Sequence, residues 1–181
     1  MIETLDFMET ISKAESAKRH LVEAIKLFLE ERDSLAIHTL AAAAQGTLRD
    51  IARVSGAERL SILHDHSDIA PEHKRNWINA LNAPRDFFKH GENDPNGILE
   101  FHESDNVMVL LDAVLLYWTV ANESFSAANV FMGWFTTKNP EMRKALSDNT
   151  IGDYCVRNNI SADDKSRFLE LIDVHIFIEP A

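Results

Sequence analysis

The chain has 181 residues, 45% of them hydrophobic and 26% charged, enough for one well-buried core and short for two domains. Six glycines and five prolines are too few for the many tight turns of a sheet protein. A formal net charge of −11 argues against a protein that coats nucleic acid along its surface, since that needs a basic face; a small local basic pocket stays compatible with it.

The N-terminus, Met1 to Lys13, carries Glu3, Asp6 and Glu9 and lacks a basic region leading into an apolar core. No secretory signal is expected there. The first long pattern runs from about Ile2 to Glu31, with Leu21, Ala24, Ile25, Phe28 and Leu29 on one helical face. Arg32-Asp33-Ser34 interrupts it, and Asp33 or Ser34 suits the cap of a second helix reaching to about Val54. That helix offers Ile37, Leu40, Ala41, Ala44, Leu48 and Ile51 to a core and ends at Ser55-Gly56. Residues 57 to 70 are ambiguous, with Leu60, Ile62 and Leu63 hinting at a short helix. Pro71 fits the first turn of a helix carrying Trp77, Ile78 and Leu81. Asn82-Ala83-Pro84 then starts, or kinks into, a short helix with Phe87 and Phe88.

Gly91 to Gly97 is dense in turn formers and reads as a loop; Ile98 to His102 is briefly extended. A long helix from Ser104 or Asp105 is apolar almost all round, which places it at the centre of a bundle or against a second subunit. Its stretch Val107 to Ala121 contains Asp112 and falls short of the ~20 residues that span a bilayer, so no membrane partner is expected. Ser126 to Phe135 forms the next segment and Lys138-Asn139-Pro140 breaks it. Helices at about 141–157 and 162–173 close the chain, the last with Ser161 as N-cap and Asp164 in its first turn. The expected architecture is all-α, a single-domain up-and-down bundle of about four or five main helices plus short C-terminal ones. The one cysteine, Cys155, permits no intrachain disulfide and suits a reducing, cytoplasmic setting, as small apolar filler.

Chemistry concentrates in Asn82-Ala83-Pro84-Arg85-Asp86-Phe87-Phe88-Lys89-His90-Gly91. At the start of a helix, Arg85 would add a planar donor fork to unpaired backbone N–H groups, a setting for phosphate. Asp86 and His90, four apart, share a helical face, where a carboxylate orients an imidazole. Lys74, Arg75, Arg85 and Lys89 outnumber Glu72 and Asp86 over this stretch of an acidic chain. His38, Gln45 and Arg49 form a stripe on the second helix that would line a polar groove beside Arg85; a solvated face is the plainer reading. Asp112, if buried, needs a partner, for which Arg85, Arg49 or a subunit contact are candidates.

The Arg85-to-His90 spacing resembles the R-x(4–6)-H signature of the HEPN family, and Lys89-His90-Gly91-Glu92-Asn93-Asp94-Pro95 resembles loops of its uncharacterised bacterial members. The resemblance covers roughly residues 1–135, with 136–181 as a helical extension. It implies a homodimeric, metal-independent endoribonuclease of toxin or defence type, with RNA as substrate, an antitoxin-like protein as partner and no organic cofactor. It also implies that Arg85 stabilises charge on the scissile phosphate. His90 would activate the ribose 2′-hydroxyl or protonate the leaving oxygen, with Asp86 tuning it. Arg32 with His38, and Arg59 with His64 or His66, repeat the spacing without the same context. Side chains five apart on a helix point roughly 140° away from each other, so Arg85 and His90 converge only if the arginine reaches round.

Two other readings stand beside this one. The chain is a non-catalytic helical dimerisation module, given its acidity and its apolar 107–121 and 127–135 segments. Alternatively His64-Asp65-His66-Ser67-Asp68 holds a metal, as in helical HD-type phosphohydrolases, with His38 and Asp112 as further ligands; a solvated loop is the default there.

Overall fold

The computed structural model describes residues 8–92, 94–143 and 150–174. Among them stand eight α-helices and no strand, an all-helical bundle of five longer helices followed by three shorter ones. Helix α1 spans Lys13–Leu29. It begins well after Ile2, because the Ser12 hydroxyl accepts the Glu15 N–H at 3.1 Å and fixes the start. Residues 8–12 are exposed and not helical, and 2–7 of the expected helix lie outside the described residues. Helix α2, Ser34–Ser55, is capped by Asp33, whose carboxylate takes the Leu35 and Ala36 N–H groups at 3.1 and 2.9 Å. Gly56 ends it with φ 67°, a left-handed turn that glycine adopts without strain.

Helix α3 is Pro71–Lys89 and runs unbroken through Pro84. The expected second start at Asn82-Ala83-Pro84 therefore does not occur. Pro84 removes the N–H that would pair with the Ala80 carbonyl, but Ala80 is exposed and water can serve it. Residues 57–70 hold turns without a helix, and 98–102 pair in no strand.

Helix α4, Asp105–Ala121, is buried along Leu110 to Tyr117 and packs on α1 and α2. Small side chains at Ala41, Ala42 and Ala44 line the buried face of α2, which lets helix axes approach closely. Helix α5, Ser126–Lys138, stacks Phe131 and Trp134 edge-on against Phe28 of α1. Helices α6 (Pro140–Arg143), α7 (Thr150–Arg157) and α8 (Lys165–Asp173) follow. Ile151, Cys155, Phe168 and Ile172 join the same core as α1 and α5, so the C-terminal helices complete the bundle's packing. Helix α8 starts later than expected. Asp164 is its cap residue, and the Ser161 hydroxyl instead takes the Asp163 N–H in the preceding turn. Among the described residues no helix is long and apolar enough to cross a membrane.

Candidate functional site

Helix α3 differs from the other long helices in burying no residue at all. Its inner face, Ile78, Leu81, Asn82, Arg85 and Phe88, is half-buried at the three-and-four spacing of one stripe and leans on α2. Between them lies a cavity of about 20 Å³ whose lining includes His38, Gln45, His64, Asn82 and Arg85, room for about one water. A larger groove of about 510 Å³ runs between α1 and α2 past Lys13, Thr47, Asp50 and Val54. It contains none of the candidate site residues.

Asp112 organises the polar interior under the cavity. It has no exposure and accepts from Gln45 Nε2 at 2.7 Å, Ser61 Oγ at 2.6 Å and the Ile62 N–H at 2.8 Å. Its partners are neutral donors, where the sequence suggested an arginine or a subunit contact. The Gln45 amide, committed as donor to Asp112, also faces His64 Nδ1 at 2.9 Å. That makes Nδ1 an acceptor and leaves Nε2–H to donate to Asn82 Oδ1 at 3.2 Å.

His38 is held the other way round. The Asn106 amide donates to the Ser34 carbonyl at 2.9 Å, so its oxygen accepts from His38 Nδ1–H at 3.0 Å. His38 Nε2 is then the lone-pair nitrogen, buried and without a partner. Burial holds both imidazoles below their ordinary pKa, partly offset for His38 by Asn106 and Asp105.

The residues of the motif sit differently from the sequence expectation. Arg85 lies in the last turns of α3 and not in a first turn, so no row of free N–H groups surrounds it. Its Nε and Nη2 donate to Asp86 Oδ1 at 3.0 and 2.9 Å, while Nη1 reaches toward Gly46 of α2. Asp86 thus orients the guanidinium; it does not engage the His90 ring. His90 closes the helix through its backbone N–H to the Asp86 carbonyl, and its Nδ1 lies 3.4 Å from Glu92 Oε1. Lys74, Arg75 and Lys89 are exposed on α3. Arg49 forms a two-bond pair with Asp65, both contacts at 2.8 Å, which holds the Asp65 carboxyl below its usual range and takes Arg49 out of the cavity wall.

The His64–Asp68 segment is not gathered for a metal. His64 turns inward, Asp65 pairs with Arg49, and His66 and Asp68 face solvent. No group of three or more candidate ligands forms among the described residues. The structure brings Arg85, His38 and Gln45 to one cavity and adds His64 and Asn82, which sequence reasoning did not place there; Asn106 stands behind His38 as its hydrogen-bond partner. Asn106 reads in sequence as a helix-start residue, and only its burial at 1% exposure reveals the histidine it serves. Asn82 reads as a turn former because Pro84 follows it. No family model, no curated protein and no solved structure matches the chain.

Proposed function

We propose that the chain is a metal-independent endoribonuclease of HEPN-like type, acting from the C-terminal end of α3. The observation that carries the reading is the Arg85 guanidinium, steadied by Asp86 and half-exposed, bordering a cavity that also contains two imidazoles kept neutral by burial. A planar fork of N–H groups suits the phosphate of an RNA strand. His90, further along the same helix end and exposed, serves as the acid that protonates the departing oxygen. A toxin or defence role, with an antitoxin-like partner, goes with that class of activity. The test is cleavage of mixed RNA in EDTA by the wild-type chain and by Arg85→Ala and His90→Ala. Each substitution is expected to lower the rate by about 100-fold or more. Cleavage that survives both would refute the assignment.

A second reading is favoured by a different observation. Trp77 and Phe87 are 45% and 42% exposed on α3, a helix whose inner face is only half-buried. Two partly exposed aromatic side chains on one helix, Trp77 also donating to the Leu63 carbonyl at 2.7 Å, suit a contact with a second copy of the chain. Light scattering distinguishes it: a dimer supports the contact, and a monomer at high concentration counts against it.

A further inference from the structure

We infer that His38 is a further catalytic residue of this site, the base that takes the proton from the ribose 2′-hydroxyl of an RNA whose phosphate rests on Arg85. The inference depends on the ribonuclease reading and deepens it. Three observations carry it. His38 is 3% exposed and its Nε2 has no partner, an arrangement that costs about 1–3 kcal/mol for a buried acceptor and calls for an explanation. Its tautomer is set by the chain Ser34 carbonyl, Asn106, Nδ1–H, the second-partner geometry that aims a basic nitrogen at a reacting group. Its ring borders the cavity that Arg85 also borders. Trp118 Nε1 and Arg143 Nε are unpaired as well, but neither lines that cavity.

The cavity has room for about one water, and in the proposed step the 2′-hydroxyl occupies that space. His38 is covered in part by the rings of Phe88 and Phe101, packed T-shaped against it with centroids at 5.8 and 5.1 Å, both side chains half-buried. Access to Nε2 needs Phe88 and its helix α3 to shift, and α3 is held by half-buried side chains, the Trp77 Nε1–H bond to the Leu63 carbonyl at 2.7 Å and the His64–Asn82 bond at 3.2 Å.

The proposed step balances without a metal. The 2′-hydroxyl proton passes to His38 Nε2 as the 2′-oxygen bonds to phosphorus. The bond from phosphorus to the 5′-oxygen breaks, and that oxygen takes a proton from protonated His90. The products are a 2′,3′-cyclic phosphate and a 5′-hydroxyl, and solvent returns both imidazoles to their starting states.

The experiment compares wild-type and His38→Ala protein on an RNA oligomer in EDTA, with circular dichroism to confirm folding. The expected result is a kcat lowered by about 100-fold or more with KM within a few-fold, because Arg85 still holds the phosphate. A folded variant that cleaves at the wild-type rate overturns the inference and leaves the ribonuclease reading intact. Wild-type protein that leaves RNA uncut overturns both. Should His38→Ala fail to fold, diethyl pyrocarbonate on wild-type protein replaces it. Activity should then be lost in step with carbethoxylation of His38 in peptide maps and return with hydroxylamine. A modified His38 with cleavage intact, or a His38 that never reacts, overturns the proposal.

Discussion

Asp112 receives three donors in a place with no solvent, two of them from the 57–70 segment. Removing the acceptor strands Gln45, Ser61 and the Ile62 N–H without water to replace it. Asp112→Ala should therefore lower the unfolding free energy by at least ~3 kcal/mol, measured by urea denaturation. A loss under ~1 kcal/mol would mean that water reaches the network. The two buried histidines set the response to acid. Both titrate below their ordinary 6.5 because burial disfavours the cation. Just below pH 6.5 the unfolded chain thus binds more protons than the folded one, so stability is lost as pH falls toward the lowered folded values. Carboxylates held low by their partners, Asp65 by Arg49 and Glu123 by Tyr117, lose their contribution only below their ordinary 3.8 and 4.5. The urea midpoint should accordingly decline between pH 6.5 and 4.5, and a flat profile there would contradict the assignment of neutral His38 and His64. At this scale the sequence was only partly legible. The need of Asp112 for a partner followed from its apolar surroundings, but the identity of that partner depends on where the 57–70 segment folds back, which local spacing does not encode.

Among the elements, α1 and α2 were legible from an apolar stripe and α4 and α5 from apolar runs, and α2 has its cap and its glycine stop in sequence; the start of α1 at Lys13 was not legible. Nor was the boundary at Pro84. A proline inside a helical pattern normally marks a start or a break, yet Leu81, Asn82, Arg85 and Phe88 share a stripe that spans it, and the half-burial of that stripe keeps α3 whole. The crossing of α5 with α7 was equally hidden. At Gly133 an added Cβ would overlap Ile151 Cγ2 and lie 3.0 Å from Ile151 Cβ, with Ile151 itself 4% exposed. An alanine inside a helix ordinarily gains up to ~1 kcal/mol over glycine; here overpacking costs about 1–3 kcal/mol and wins. Gly133→Ala should lower the melting temperature, and an unchanged or raised value would show that α7 can step back from α5.

For the whole molecule, composition excluded a sheet protein, and few glycines with long periodic stripes pointed to helices. The candidate site was legible only in part. Spacing offered His38 and Gln45 as the wall of a groove beside Arg85, and the cavity holds these three; that His64 and Asn82 join them, and that Arg49 does not, is a tertiary fact created by α3 lying across α2. A net charge of −11 repels nucleic acid at long range, so the proposed RNA contact is short-range and centred on Arg85 beside the cavity, with Lys74, Arg75 and Lys89 exposed on the same helix. The proposed cleavage uses side chains alone, the buried His38 imidazole of α2 drawing off the 2′-proton and the Arg85 guanidinium of α3 holding the phosphate. The chemistry at the cut ends reports on this directly. Wild-type protein incubated with an RNA oligomer in EDTA should leave 2′,3′-cyclic phosphate and 5′-hydroxyl ends, read by mass spectrometry of the fragments. Ends carrying 3′-hydroxyl and 5′-phosphate, which require attack by water and not by the neighbouring ribose oxygen, would contradict it, as would RNA left intact.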